Sequence, residues 1–273
     1  MPASTTVTGM VLSAMPVGDY DKRLVILTKE IGKISAFAKG ARRPNSALLA
    51  CSQPFTFGNF ILYAGRNSYN IMSCEMSNYF PELREQIDSV YYGLYFCEFA
   101  DYITKENNDE KDILKLLYQT LRAVAKKTID IRLVRAVYEL KLMVLNGEAP
   151  QVFTCVKCGK EPHRQVSEEQ IMEETGLAEQ KQEKGYGTIR YRFSADAGGI
   201  LCEMCRYQDK NAALLSTSTL YAMQYIVSSS IEKLYTFTVS DEVLEELILN
   251  TGRYLEHYID HEFKALELIR TIF

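Results

Sequence analysis

No apolar run in this chain approaches the roughly 18 residues that a membrane-spanning helix needs, which excludes a helical transmembrane protein. The opening residues, MPASTTVTGMVLSAMP, carry neither a basic leader region nor a clear cleavage site, so no secretory signal is expected. An excess of positive charge is missing too. The 31 Lys and Arg stand against 35 Asp and Glu, a formal net charge of -4, which argues against a uniformly basic nucleic-acid protein. The chemistry of catalysis is also scarce. There is no Walker glycine loop, no Ser/His/Asp arrangement and no carboxylate cluster spaced for a catalytic metal, so the expectation is a protein that is not an enzyme. His257 and His261 stand four apart, yet no Glu flanks the first and no third ligand is evident, so no metal role is expected for them.

What is present is ordinary in amount and uneven in distribution. At 273 residues, 47% hydrophobic and 24% charged, the chain suits about two globular domains. Residues 1–80 carry a charge of +4 and the remainder -8. A basic head on an acidic body can focus an anionic partner onto the head. The seven cysteines are odd in number and four fall in two C-x-x-C pairs, which favours metal binding in a reducing cytoplasm over secreted disulfides. Cys51, Cys74 and Cys97 are scattered and read as small core hydrophobes.

The most informative stretch is Gly32–Ser46, GKISAFAKGARRPNS. As a strand it puts Lys33, Ser35, Phe37 and Lys39 on one face and the small apolar Ile34, Ala36 and Ala38 on the other. Gly40 ends the strand, Arg42 and Arg43 continue the charge, and Pro44-Asn45 mark a loop. Cations neutralise phosphates and an aromatic face stacks a base, the combination that single-strand binders use. A half-exposed strand with solvated lysines is the competing reading.

Around that stretch the first eighty residues are β in pattern: Thr5–Ser13, Arg23–Lys29, Lys33–Lys39, Phe55–Tyr63 and Tyr69–Met76, each bounded by turn signals. Five short strands predict a small closed barrel over 1–79 such as an OB-fold, with an SH3-like barrel as the competitor. Phe57, Asn59, Ile61 and Tyr63 share a face and read as core. After Phe80-Pro81 the period becomes helical, with helices expected over Ile87–Lys105, Asp109–Lys127 and Ile129–Asn146 and Arg132, Arg135 and Lys141 on a solvated face. Ser216–Ser228, Val243–Leu249 behind a Ser240-Asp241 cap, and Tyr254–Thr271 form a second helical set. The expected organisation is α+β and multidomain: barrel 1–79, a helical domain in two parts, 80–150 and 206–273, and a module at 151–205 between them.

That module holds Cys155-x-x-Cys158 and Cys202-x-x-Cys205. Two such knuckles supply four soft ligands for one tetrahedral structural Zn2+, with Gly159 and Gly198-Gly199 making the turns. Four protein ligands leave no open position, so the metal is expected to be structural. The 43 residues between the pairs are more than usual, and include a Glu/Gln/Lys-rich insert at 167–184 before a strand at Thr188–Ser194. A redox dithiol is the alternative, and His163 a less favoured substitute ligand.

In this order the pieces resemble the bacterial RecO family of recombination mediators. The resemblance rests on Thr8–Leu12, Asp19–Ser46, Gln53–Arg66 (QPFTFGNFILYAGR), Phe80–Glu85 (FPELRE), the two cysteine pairs, and Phe193-Ser194 and Gly198-Gly199. The insert within the module is longer than the pattern that the resemblance implies. The family implies an OB-fold, a helical domain and a zinc module. It implies a role in DNA repair and homologous recombination by the RecF pathway, through binding of single- and double-stranded DNA. Annealing of complementary strands, including those coated by single-strand-binding protein, is also implied, as is partnership with RecR to help load RecA. On this sequence the DNA contacts become Lys22, Arg23, Lys33, Lys39, Arg42, Arg43 and Arg66, with Phe37 for stacking. Capture of the single-strand-binding protein C-terminal tail falls to Arg132, Arg135 and Lys141. The other classes open at this point are a zinc-containing protein-interaction scaffold and an RNA-binding OB-fold factor.

Overall fold

Alternation between turn signals produces five strands: β1 (Ser4–Val17), β2 (Asp21–Thr28), β3 (Gly32–Ala38), β4 (Phe57–Ala64) and β5 (Tyr69–Asn78). They belong to a computed structural model that describes residues 4–65, 68–162 and 191–272. β1 pairs antiparallel with both β2 and β4, and β4 with β5. A short parallel pairing of β3 with β5, Ala36 opposite Tyr69 and Phe37 opposite Asn70, closes a barrel in the order β1-β2-β3-β5-β4. This is the order of an OB-type barrel and sets the SH3-like alternative aside. β1 serves two partners because it is long, 14 residues, and its register shifts between Val11 and Ser13. Val7, Val11, Leu24, Ile26, Ile34, Ala36, Phe60 and Leu62 fill the interior.

Phe55 lies outside β4, correcting the expected strand start. It takes a left-handed conformation (φ 72°) and is buried. Gly58 opens β4 where the register with β5 shifts. A Cβ there would run into the Glu75 carbonyl oxygen and lie 2.9 Å from Met76 Cα, both backbone atoms. Gly58→Val is therefore expected to destabilise the barrel by about 3 kcal/mol, at the top of the usual overpacking cost. A urea denaturation midpoint checks it; an unshifted midpoint would mean that β4 and β5 separate here without cost.

Six α-helices stand among the described residues: α1 (Ile87–Ile103), α2 (Lys111–Lys126), α3 (Ile131–Leu145), α4 (Thr217–Ser228), α5 (Asp241–Tyr258) and α6 (Lys264–Ile272). The first three lie within one to two residues of their expected bounds at each end. Asp130 caps α3, its carboxylate accepting from the Arg132 amide at 2.8 Å. The carboxy-terminal helices differ from expectation. Instead of a short helix and then Tyr254–Thr271, α5 continues to Tyr258, residues 259–263 are non-helical, and α6 restarts at Lys264. Glu98 of α1 explains the restart, accepting from the Lys264 and Ala265 amides at 3.1 Å each.

Two compact units result. The first comprises Met1–Ala149, Ser229–Val239 and Ile259–Phe273, uniting barrel, α1–α3 and α6. Here Gly32 (φ 69°) backs onto the chain after α1: the Lys33 amide donates to Lys105 O at 3.1 Å, and Asn107 donates to Ile31 O at 3.1 Å. Gly93 of α1 makes room for the Phe55 ring. Tyr95, Phe96, Phe99, Tyr138 and Phe263 form an aromatic cluster with centroid separations of 4.7–6.2 Å.

The second unit comprises Pro150–Ser228 and Ser240–Tyr258, and so takes α4 and α5, which sequence places in the helical domain. Its sheet is β6 (Tyr191–Ser194), β7 (Gly199–Leu201) and β8 (Ala213–Leu215), in the order β7-β6-β8. The helices are fastened by specific contacts. Phe193 packs on Tyr254 with centroids 5.6 Å apart, and Gln224 donates to Val152 O at 2.8 Å. Glu246 accepts from the Ser216 amide at 2.9 Å and the Thr219 hydroxyl at 2.7 Å. His163, the insert 167–184 and the first residues of the expected 188–194 strand lie outside the described residues.

Candidate nucleic-acid face and metal centre

The alternation of β3 holds residue by residue: Ile34, Ala36 and Ala38 are buried, while Lys33, Ser35 and Phe37 are half-buried. Arg23 stands opposite Phe37 across the β2–β3 ladder, and its Nε donates to Ser35 Oγ at 2.9 Å. At the end of this ribbon the β1–β2 turn and the loop after β3 meet. Gly40, with φ 67°, donates its amide to Asp21 Oδ1 at 2.7 Å. The Arg42 amide donates to Tyr20 O at 2.8 Å, and its Nη1 to Gly18 O at 3.1 Å. The Arg43 guanidinium sits over the Tyr20 ring, 5.1 Å from its centroid. Lys39, Gly40, Arg43, Pro44, Asn45 and Ser46 line an open cleft of about 460 Å³.

Lys22 lies nearby, its Nζ donating to Ser52 O at 2.9 Å. Burial first, and then the Arg42 charge, lower its pKa. The barrel edge thus gathers Lys22, Lys39, Arg42 and Arg43, with Arg23 and Phe37 beside them. Tyr20, 52% exposed, joins this edge; the sequence shows it only as part of a Gly18–Asp21 turn.

Two expected contacts do not join it. Lys33 turns to α1, where its ammonium pairs with Asp101 Oδ1 at 2.9 Å and also donates to the Asp101 carbonyl. Arg66 lies outside the described residues.

The three α3 cations also diverge. Arg132 keeps its side chain 43% exposed while pairing with Asp130 at 2.8 Å. Arg135 is turned in: its Nε lies 3.5 Å from Glu139 Oε1 and, among the described residues, has no hydrogen-bond partner. Tyr95 donates to that same Glu139 oxygen at 2.7 Å. Burial raises the Glu139 pKa against the pull of Arg135. Lys141 is buried, its Nζ donating to Ser229 O at 2.7 Å, which corrects the solvated-face reading for this residue.

In the second unit Cys155, Cys158, Cys202 and Cys205 come together, all four sulfurs within 4.8 Å of one another. Cys158 Sγ lies 3.6 Å from Cys202 Sγ. A tetrahedral ion with metal–sulfur bonds of about 2.3 Å needs sulfurs roughly 3.8 Å apart, so the set fits one soft metal ion. The first knuckle turns through Gly159 (φ 72°), whose amide donates to Cys155 O at 2.9 Å; the second runs into a 3-10 helix at Glu203–Gln208. Burial opposes ionisation of Cys155, but amides of Cys202, Cys158 and Lys157 outweigh it and lower that thiol to about 6. Desolvation, then the neighbouring thiols, push Cys205 up to about 12. Four sulfurs crowded together compete for charge, and a bound cation removes the conflict.

The histidines do not form a pair on one helix. His257, at the end of α5, has its Nδ1 3.1 Å from Asp196 Oδ1, whereas His261 follows the helix and stacks on Tyr102 at 4.5 Å.

The chain thus combines an OB-type barrel that carries a cationic edge, a helical body and a four-thiol module. The chain belongs to the RecO family: residues 1–80 match the family model "Recombination protein O N terminal" and residues 84–267 match "Recombination protein O C terminal". The DNA repair protein RecO of Alkaliphilus metalliredigens is 31% identical over 265 residues, spanning 97% of this chain and 98% of its own. That of Acetivibrio thermocellus is 29% identical over 264 residues, spanning 97% and 95%. The role that follows is DNA repair. No helix among the described residues is long and apolar enough to cross a membrane.

Proposed function

We propose that this chain is a non-enzymatic mediator of homologous recombination in the RecF pathway, working in the cytoplasm. It binds single- and double-stranded DNA and anneals complementary strands, including strands coated by single-strand-binding protein. With RecR it helps RecA to load. The observation that carries this reading is the cluster of Lys22, Lys39, Arg42 and Arg43 at one barrel edge, beside Arg23, Phe37 and Tyr20. Annealing needs two phosphate backbones held close with their charge screened, and a shallow cationic edge supplies that without bond-making chemistry. Zn2+ on Cys155, Cys158, Cys202 and Cys205 is structural in this reading, holding its module folded. Among the tail-binding candidates, the exposure of Arg132 favours it for the partner's terminal carboxylate, whereas Arg135 and Lys141 are engaged inside the helical body.

The test is a fluorescence annealing assay with complementary oligonucleotides, bare and coated by the cognate single-strand-binding protein. Faster pairing of coated strands without nucleotide is expected. Pairing of bare strands only would reduce the protein to a generic cationic binder. No pairing by folded, zinc-loaded protein would favour an interaction scaffold.

A further inference from the structure

The sequence presents Cys51, Cys74 and Cys97 as isolated core residues, and Cys97 is buried on α1. The other two meet in the barrel. Cys51 belongs to the loop between β3 and β4, is buried, and joins Ala41 and Leu48 in closing the barrel core. On a regular β5, Cys74 would face away from that core, because Ile71, three residues before it, is buried there and side chains alternate. The register shift prevents this. Leu62 stands opposite Ile71 and Ile61 opposite Ser73, so Met72 is an extra residue and Cys74 falls opposite the fully buried Phe60. The bulge thus turns the half-buried Cys74 inward against the same core. There its thiol hydrogen-bonds to Cys51.

The surroundings divide the work between the two sulfurs. The hydrogen bond from Cys74 lowers the Cys51 pKa against the effect of burial. The charge of Lys22, whose Nζ is fixed on the Ser52 carbonyl at 2.9 Å, adds to this. The same bond raises Cys74. Cys51 is thus placed as the nucleophile, and Cys74 as the proton-bearing partner on the more accessible side. We propose that Cys51 and Cys74 are an oxidation site for hydrogen peroxide, closing to a disulfide that ties the loop carrying Arg42 and Arg43 to β5. In the first step the Cys51 thiolate attacks one peroxide oxygen and the O–O bond breaks. A sulfenic acid forms, and the second oxygen leaves as water with the proton that Cys51 gave up. The Cys74 sulfur then attacks Cys51, the S–O bond breaks, and hydroxide takes the Cys74 proton as a second water. The two thiols lose two electrons and peroxide gains them. The reaction belongs to the barrel core and does not depend on DNA contact at the edge.

The test treats the full-length, zinc-loaded chain with hydrogen peroxide, blocks the remaining thiols with N-ethylmaleimide and maps the unreduced peptides by mass spectrometry. A peptide pair joined through Cys51 and Cys74 is expected, separable by dithiothreitol, at doses that release no zinc. Cys97 should remain a free thiol. In Cys74→Ser the linked pair should disappear, and a sulfenic acid trapped by dimedone should appear at Cys51. In the oxidised parent chain the Ser52 amide, which donates to Leu48 O at 3.1 Å, should exchange about tenfold more slowly, because the cross-link resists opening of the loop. Absence of the linked pair from the folded parent chain would overturn the proposal. So would oxidation of the four module cysteines ahead of Cys51 and Cys74, a linked pair that uses Cys97, or unchanged exchange at Ser52.

Discussion

Stripping metal from the purified protein is expected to release one zinc per chain and unfold the four-cysteine module. Structural zinc sites contribute on the order of 10 kcal/mol or more to folding, far above any single side-chain contact. The sheet beside the thiols shows why so much depends on it. Its strands have four, three and three residues, too short for independent stability. The knuckles lie at Cys155–Cys158 and Cys202–Cys205, so the ion closes a loop of over forty residues. Without the ion, an exposed Cys158 and a half-buried Cys205 offer no packing to replace it. Hydrogen exchange provides the readout. Amides of Ile200 and Leu201 should lose protection after chelation, while β1–β5 amides keep theirs. Cys155→Ser should do the same, because that buried sulfur also accepts the Cys202 amide at 3.4 Å. Unchanged exchange and unchanged Tm after chelation would show that the four thiols pack without a metal.

Much of this architecture is legible in the chain because local periods carry it. The expected alternation survives in β3 from Lys33 to Ala38, with Lys39 just past its end, and the two C-x-x-C spacings foretell the thiol cluster. Contacts distant in sequence are not legible in that way. Lys33 looks like its neighbours on the cationic face until Asp101, 68 residues away, takes its ammonium. Lys141 reads as a solvated helix cation because one stripe of α3 is plainly apolar. In fact ten of the fifteen residues of α3 are buried, and the Ser229 carbonyl receives the lysine. The gap between α5 and α6 contains neither Gly nor Pro to announce it. What caps α6 is Glu98, on a different helix. Tyr20 sits in a stretch whose local signal is only a turn, and becomes informative once Arg43 folds over it.

Arg42→Glu combined with Arg43→Glu is expected to lower affinity for single-stranded DNA by roughly ten- to a hundredfold at moderate salt. The same change should make the salt dependence shallower by about 1.4 in the log–log slope, since each phosphate contact on a single strand contributes about 0.7. Stability should fall by only about 1–2 kcal/mol, from loss of the exposed Arg42 Nη1 bond to Gly18 O and of the Arg43–Tyr20 contact. The loop is anchored through its main chain, from the Gly40 amide to Asp21 at 2.7 Å and from the Arg42 amide to Tyr20 O at 2.8 Å, and these bonds do not use the guanidinium groups. A folded variant with weak binding would therefore report on charge at the edge. Lys33→Gln is the discriminating control. It removes a cation on β3, the strand just before that loop, but the ammonium is committed to Asp101, so both affinity and slope should stay near those of the parent chain. A loss of log affinity from Lys33→Gln about a quarter of that from the Arg42/Arg43 pair, in proportion to one charge against four, would mean that DNA responds to the general charge of the barrel. A loss confined to the arginine pair would locate the contact at the edge where the β1–β2 turn meets the loop after β3, with Tyr20 and Phe37 placed to stack the bases that those arginines bring in.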